Sequence, residues 1–362
     1  MSQSQQKETQ NKKSRLIAYD VARSLAIFGM VIVNYKVVMG ASENGPDWLI
    51  WFTGLFERRA AATFVILAGV GISMLSRKGR LSQDRERIRQ DRHTLLKRAV
   101  FLFVVGLLYT PLWPADILHF YGVYIAFAAL LLLATDRQLW LGAIGISTAF
   151  ILLIFIFDYE KGWNLSTLTY VDFWTFSGMV RHIFFNGFHP VIPWLSFILI
   201  GMWLGRKDVK NKQVRRPILW ISISAAVAAE LLSYILITLF PGESGAIFGT
   251  EPMPPMPLYI IAGAGTAIAI IILCLELTLR YPNARIFSPL VATRQLALTL
   301  YVAHVVIGMG FLEAIGRLEN QTLQFATLST VTFFILGIVF STYWRKRFQR
   351  GPLEWLMRKV TS

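Results

Sequence analysis

The chain has 362 residues, 55% of them hydrophobic and 16% charged, with a mean hydropathy of +0.52 and a formal net charge of +15. A soluble domain of this length carries more charge, and the lone Cys274 excludes an internal disulfide framework and any cysteine-rich metal or iron–sulfur centre. The positive charge is distributed as a membrane-orientation signal, so no nucleic-acid partner is expected.

Residues 1–14 are polar and basic and predict a disordered cytoplasmic tail. The run after them is long and has no small-residue cleavage site, so no cleaved signal peptide is expected. Residues 15–344 read as an all-α polytopic membrane domain of about ten spans, roughly 16–39, 60–76, 95–112, 117–134, 139–157, 189–205, 217–240, 257–279, 295–312 and 322–343. With both termini in the cytoplasm, 29 of the 36 Lys and Arg fall on the inner side.

The first span carries polar groups inside apolar sequence. At about 100° per residue, Asp20, Arg23 and Asn34 share one helix face, with about 16 Å of rise from Arg23 to Asn34. Buried charge in lipid is costly, so this stripe predicts a face that looks into a protein-lined passage. The basic loop 77–93 reads as an orientation signal or a short amphipathic helix on anionic lipid. The aromatic-rich segment 158–188 is expected at the outer interface, and the Pro/Gly-rich loop 241–257 to be irregular. Residues 345–362 predict a cytoplasmic interfacial tail whose helix opens at Pro352.

Several polar residues stand at the expected outer ends of spans. Asp116 and His119, spaced i, i+3, share a helix face, where a carboxylate orients an imidazole for general-base work. The same spacing also suits a helix cap and a structural histidine. His189, in NGFHPVIPW, is a second candidate base or an interfacial ring on Trp194. His182 and His189 lack a carboxylate at ligand spacing, so no metal is expected. His304 lies within a span with Tyr301 one turn earlier, either a functional group or an interhelical hydrogen bonder. Glu230 and Glu276 are further acids within spans. The small-residue stretches 68–73, 201–205 and 262–267 predict close helix contacts. Phosphate-binding loops, dinucleotide fingerprints, nucleophile elbows and zincin motifs are absent from the sequence.

YDVARSLAIFGMVIVNY (19–35) and FVILAGVGISM (64–74) resemble the opening of the heparan-alpha-glucosaminide N-acetyltransferase family and its bacterial YeiB-like relatives. DILHFYGVYIAF, HPVIPWLSFILIGMWLGR and LALTLYVAH continue the resemblance, and RFQRGPLEWLMRK (347–359) is similar to the closing signature of the YeiB-like domain. The resemblance implies a multi-pass transferase of the bacterial plasma membrane. It would pass an acetyl or other acyl group from cytoplasmic acetyl-CoA to an extracytoplasmic amine or hydroxyl, on a small molecule or an envelope glycan. It also implies lipid contact and suggests a homodimer. Asn34 matches the family's asparagine at the acyl centre. The histidine that follows it in the family's first outer loop has no counterpart in YKVVMGASENGPDW (35–48). His119, held by Asp116, or His189 is expected to replace it, with Asp20, Arg23, Tyr301 and His304 toward the donor. A transporter or lipid-handling protein, or a scaffold, is the alternative reading.

Overall fold

The computed structural model describes residues 17–361 apart from 243, 244 and 246. The tail 1–14, expected to be disordered, lies outside the described residues. Seven helices are long and apolar enough to cross a membrane, and an eighth candidate is a pair bent by 49°, Phe176–Asn186 with Val191–Arg206. The chain is thus an all-α multi-pass membrane protein. Two of the ten expected spans do not meet this measure. The run 95–112 is the apolar end of α5 (Arg85–Tyr109), a helix that begins in basic sequence. The run 117–134 forms α6 (Leu118–Leu130), whose 13 residues rise about 20 Å against a hydrocarbon core of about 30 Å.

The chain divides into two compact units. Among the described residues, the first takes in 17–64, Asp208–Trp220 and Ala267–Lys359; the second takes in Val65–Lys207, Ile221–Thr266 and 360–361.

In the first unit, α1 (Ile17–Val38) is the centre. It packs against α2 (Asp47–Glu57) and three helices from the end of the chain: α12 (Phe287–Arg294), α13 (Ala297–Ala303) and α15 (Leu323–Trp344). The loop after α1 is tied to the start of α15, where Leu323 N–H donates to Asn44 O at 2.8 Å and Gln321 N–H to Met39 O at 3.1 Å. Helix α13 continues through a π-helical turn, His304–Met309, into α14 (Gly310–Ala314), so that 297–314 is one span. Glu276, in α11 (Pro257–Arg280), is not a lone acid: Arg215 pairs with it at 2.7 Å.

In the second unit, α5 packs on α6, and α7 (Asp136–Ile156) packs on α9 (Val191–Arg206). Thr135 and Gln138 form a reciprocal cap at the start of α7. Backbones touch where glycine omits a side chain. A Cβ on Gly106 would lie 2.2 Å from His119 N, and one on Gly122 would lie 2.6 Å from Ala99 O. Gly69 and Gly201 meet the same way, with added Cβ atoms 2.2 Å from Ile198 O and 2.1 Å from Ile66 O. Two of the small-residue stretches are therefore a helix contact. Gly265, in the third, would carry a Cβ 2.5 Å from Ser222 O. Glu230 accepts a hydrogen bond from Thr250 at 2.8 Å.

The aromatic-rich segment 158–188 folds into a hairpin of two-residue strands, Trp163–Asn164 with Thr169–Tyr170, followed by the short helix α8 (Phe176–Arg181) and a π turn, His182–Asn186. Buried Asn186 donates to Tyr159 O and Lys161 O and accepts from Tyr170, which holds the hairpin against the π turn.

Candidate functional site

The polar face of α1 is satisfied from the end of the chain. Asp20, 7% exposed, pairs with Arg294 at 3.1 Å, and Arg23 and Arg345 stand within electrostatic range of it. One turn on, Ser24 is fully buried, donates to Leu290 O and shares a 2.6 Å hydrogen bond with Thr293 Oγ1. Ser24 and Arg294 were not legible from the sequence: serine is unremarkable in a span, and Arg294 lies at the far end of the chain from Asp20, with which it pairs. One acid among Arg23, Arg294 and Arg345 leaves the end of this stripe net positive, which suits an anion.

At the other end, Asn34 Nδ2 lies 2.9 Å from Nε2 of His304. The imidazole is fully buried and Asn34 only partly so. The Nδ1 of His304 faces the carbonyl oxygen of Tyr301, one turn earlier. A carbonyl can only accept, so Nδ1 carries the proton. In the neutral ring Nε2 then holds the lone pair, and the Asn34 amide donates to it. That amide has a second N–H left for another acceptor.

Tyr35 completes the clasp. Its hydroxyl donates to His304 O at 3.1 Å, and its ring stacks near the imidazole with centroids 6.4 Å apart. Gly308, within the π turn, makes room for that hydroxyl. A π turn of this kind is common at functional sites. Next along α1, buried Lys36 forms an ion pair with Glu57 at 2.7 Å and reaches Thr53 at 3.4 Å.

The second unit gathers the remaining candidates. Asp116 Oδ2 accepts from His119 Nδ1 at 3.1 Å, from Leu118 N–H at 2.9 Å and from His119 N–H at 3.3 Å, with both side chains fully buried. The carboxylate thus caps α6 and holds the ring at once, from a position just before the helix and not from the shared helix face expected. His119 stacks on His182 with centroids 5.7 Å apart, and Phe120 and Phe173 line the rings. His119 Nε2, His182 Nδ1 and His189 Nδ1 are buried without a hydrogen-bond partner among the described residues. His189 packs edge-on against Trp194, centroids 4.7 Å apart. Among the described residues, no group of three or more His, Cys, Asp or Glu is arranged to hold a metal ion.

The site residues expected from sequence therefore form two sets. Asp20, Arg23, Asn34, Tyr301 and His304 belong to the first unit, and Asp116, His119 and His189 to the second. The structure brings His304, expected toward the donor, against Asn34. Residues 15–236 match a family model described as "Heparan-alpha-glucosaminide N-acetyltransferase, catalytic". Residues 203–362 match one described as "Protein of unknown function (DUF418)". The first match takes in Asn34, Asp116, His119 and His189, and the second takes in His304. No curated protein matches the chain.

Proposed function

Because the chain belongs to the heparan-alpha-glucosaminide N-acetyltransferase catalytic family, we propose that it transfers an acetyl group from acetyl-CoA to an amine or hydroxyl acceptor. The basic inner segments support a bacterial plasma membrane protein with cytoplasmic termini, its donor arriving from inside and its acceptor, an envelope sugar or a small molecule, from outside.

The observation that carries this reading is the Asn34–His304 contact. The imidazole missing from the first outer loop is supplied in space by the helix 297–314. Asn34 uses one N–H to hold Nε2 and offers the other to the thioester carbonyl as that oxygen gains negative charge. The acceptor's N–H or O–H displaces Asn34 from Nε2, and its heavy atom attacks the carbonyl carbon. His304 takes the acceptor's proton, the tetrahedral intermediate collapses with cleavage of the C–S bond, and the proton passes to the departing thiolate. General-base catalysis contributes about 10²–10⁴-fold and an oxyanion donor about 10²–10³-fold.

The donor's dimensions fit the same helix. Arg23 and Asn34 are separated by about 16 Å of rise. A phosphopantetheine arm has about 13 backbone bonds from phosphorus to sulfur, which at ~3.6 Å per three extended bonds spans about 16 Å. Arg23, Arg294 and Arg345 would take the phosphates and Asn34 would meet the thioester.

A second reading makes His119 the base, favoured by its unpartnered Nε2 and its Asp116-held Nδ1. Purified protein supplied with radiolabelled acetyl-CoA and a panel of amino sugars separates the two. Loss of transfer by at least 100-fold in His304→Ala and Asn34→Ala, with His119→Ala within tenfold of wild type, supports the Asn34–His304 pair; the reverse pattern supports His119. A transporter reading draws on the bent pair Phe176–Asn186 and Val191–Arg206. Uptake of an unmodified substrate into proteoliposomes, with no acetylated product, would establish that reading and remove the enzyme.

A further inference from the structure

Helix α16 (Pro352–Thr361) has Trp355, Leu356 and Val360 exposed and Arg358 and Lys359 in its last turn, as an interfacial helix should. Its only acid, Glu354, turns inward. Glu354 Oε1 accepts from the backbone N–H of Leu298 at 2.6 Å and of Thr299 at 3.1 Å, while Oε2 accepts from the Thr299 hydroxyl at 2.6 Å. These amides open the span that bears His304, where a helix has no partners of its own for its N–H groups. The residue in the usual capping place is Leu296, which has no side-chain acceptor.

The contact is built closely. A Cβ at Gly351 would lie 2.2 Å from Glu354 Oε2 and 2.6 Å from Thr299 Oγ1. Thr299 Oγ1 also accepts from Leu353 N–H at 3.2 Å, and Gly351 N–H donates to Gln295 O at 3.3 Å. Between this cap and the π turn at His304 there are only the seven residues of α13, Ala297–Ala303. A helix of two turns does not hold its own geometry. Its setting depends on its packing against α1 and on what holds its two ends, and His304 lies at the second of them.

We propose that Glu354 is a positioning residue for His304, capping the start of its span from the C-terminal helix and so fixing where the imidazole meets Asn34. This rests on the acetyl-transfer reading of that pair. The test uses the full-length protein in detergent, comparing wild type with Glu354→Ala and Glu354→Gln by acetyl-transfer kinetics and by backbone hydrogen exchange over 297–303. In Glu354→Ala, exchange over that segment should accelerate at least tenfold, and kcat should fall at least tenfold with KM for acetyl-CoA changed less than twofold. Glu354→Gln, which keeps an acceptor oxygen, should restore most of both. Unaltered exchange in Glu354→Ala overturns the cap, and faster exchange with unaltered kcat overturns the positioning role. If Glu354→Ala does not fold, kcat and exchange in Glu354→Gln indistinguishable from wild type support the proposal, and a tenfold loss there overturns it. Wild-type protein that transfers no acetyl group removes the acetyl-transfer reading and the positioning role with it, while the exchange measurement still judges the cap itself.

Discussion

The hydroxyl of Tyr35 occupies the space that a side chain at Gly308 would need. A Cβ there would fall 1.9 Å from Tyr35 Oη, but 3.2 Å from the ring carbon that bears it. Gly308→Ala should therefore push Tyr35 off His304 O and destabilise the protein by about 1–3 kcal/mol through overpacking. Tyr35→Phe alone should cost about 1 kcal/mol for the lost buried hydrogen bond. The double variant should be more stable than the sum predicts, because loss of the hydroxyl removes the worst overlap and leaves only the close approaches of 3.2 Å to the Tyr35 ring carbon and 3.3 Å to Phe333 Cδ2. Unfolding midpoints of the four proteins give the coupling and its sign.

Asp116 answers to three donors through one oxygen, two of them backbone N–H groups. Asp116→Ala should cost about 1–3 kcal/mol for each buried donor left unpaired. His119→Phe should cost less, since it leaves the capped amides in place. A reversed order in thermal unfolding would contradict the capping role of the carboxylate.

The Lys36–Glu57 pair predicts an asymmetry. Lys36 is 4% exposed and Glu57 31%. Glu57→Ala strands a buried ammonium and should fall near the lower end of the about 3–5 kcal/mol for breaking a buried pair. Lys36→Met removes the buried charge itself and leaves Glu57 able to reach solvent, so it should be the milder change. Denaturant titration of the two variants checks the order.

Burial pushes the Glu354 carboxyl above its ordinary 4.5, and hydrogen bonds from Thr299 and the neighbouring amides pull it back only in part. The folded protein thus holds this proton to higher pH than the unfolded chain does. The stability arising from that difference is fully present below 4.5 and is lost as pH rises through the raised folded value. The stability of wild type relative to Glu354→Gln should therefore decline from acidic to neutral pH. A flat difference in melting temperature would contradict this.

Local features were legible in the sequence and distant pairings were not. Asp116 and His119 are three residues apart, so their contact was legible, but Asp116 stands before α6 and reaches the ring as a cap rather than from a shared helix face. The stripe of Asp20, Arg23 and Asn34 was legible as a face because one helix period relates all three. What that face meets was not, since Arg294 and His304 approach it from the far end of the chain, and no periodicity encodes such a pairing. His304 was therefore recognised as a functional candidate but not as the partner of Asn34. Glu354 was hidden for a different reason. An acid in an amphipathic tail helix looks like any solvated charge until its position opposite an uncapped helix end is known. Helix α6 read as a span because apolar content extends past its ends, whereas the helix itself stops at Leu130.

The π turn at His304–Met309 has a consequence for how this span tolerates change in length. Each widened turn accommodates one residue more than an α-helix would over the same rise. Deleting a single codon between Val305 and Met309 could be absorbed by rewinding the turn to regular α, leaving both flanking helices where they are. Deletion of one codon within 297–303 has no such reserve and would rotate His304 by about 100° away from Asn34.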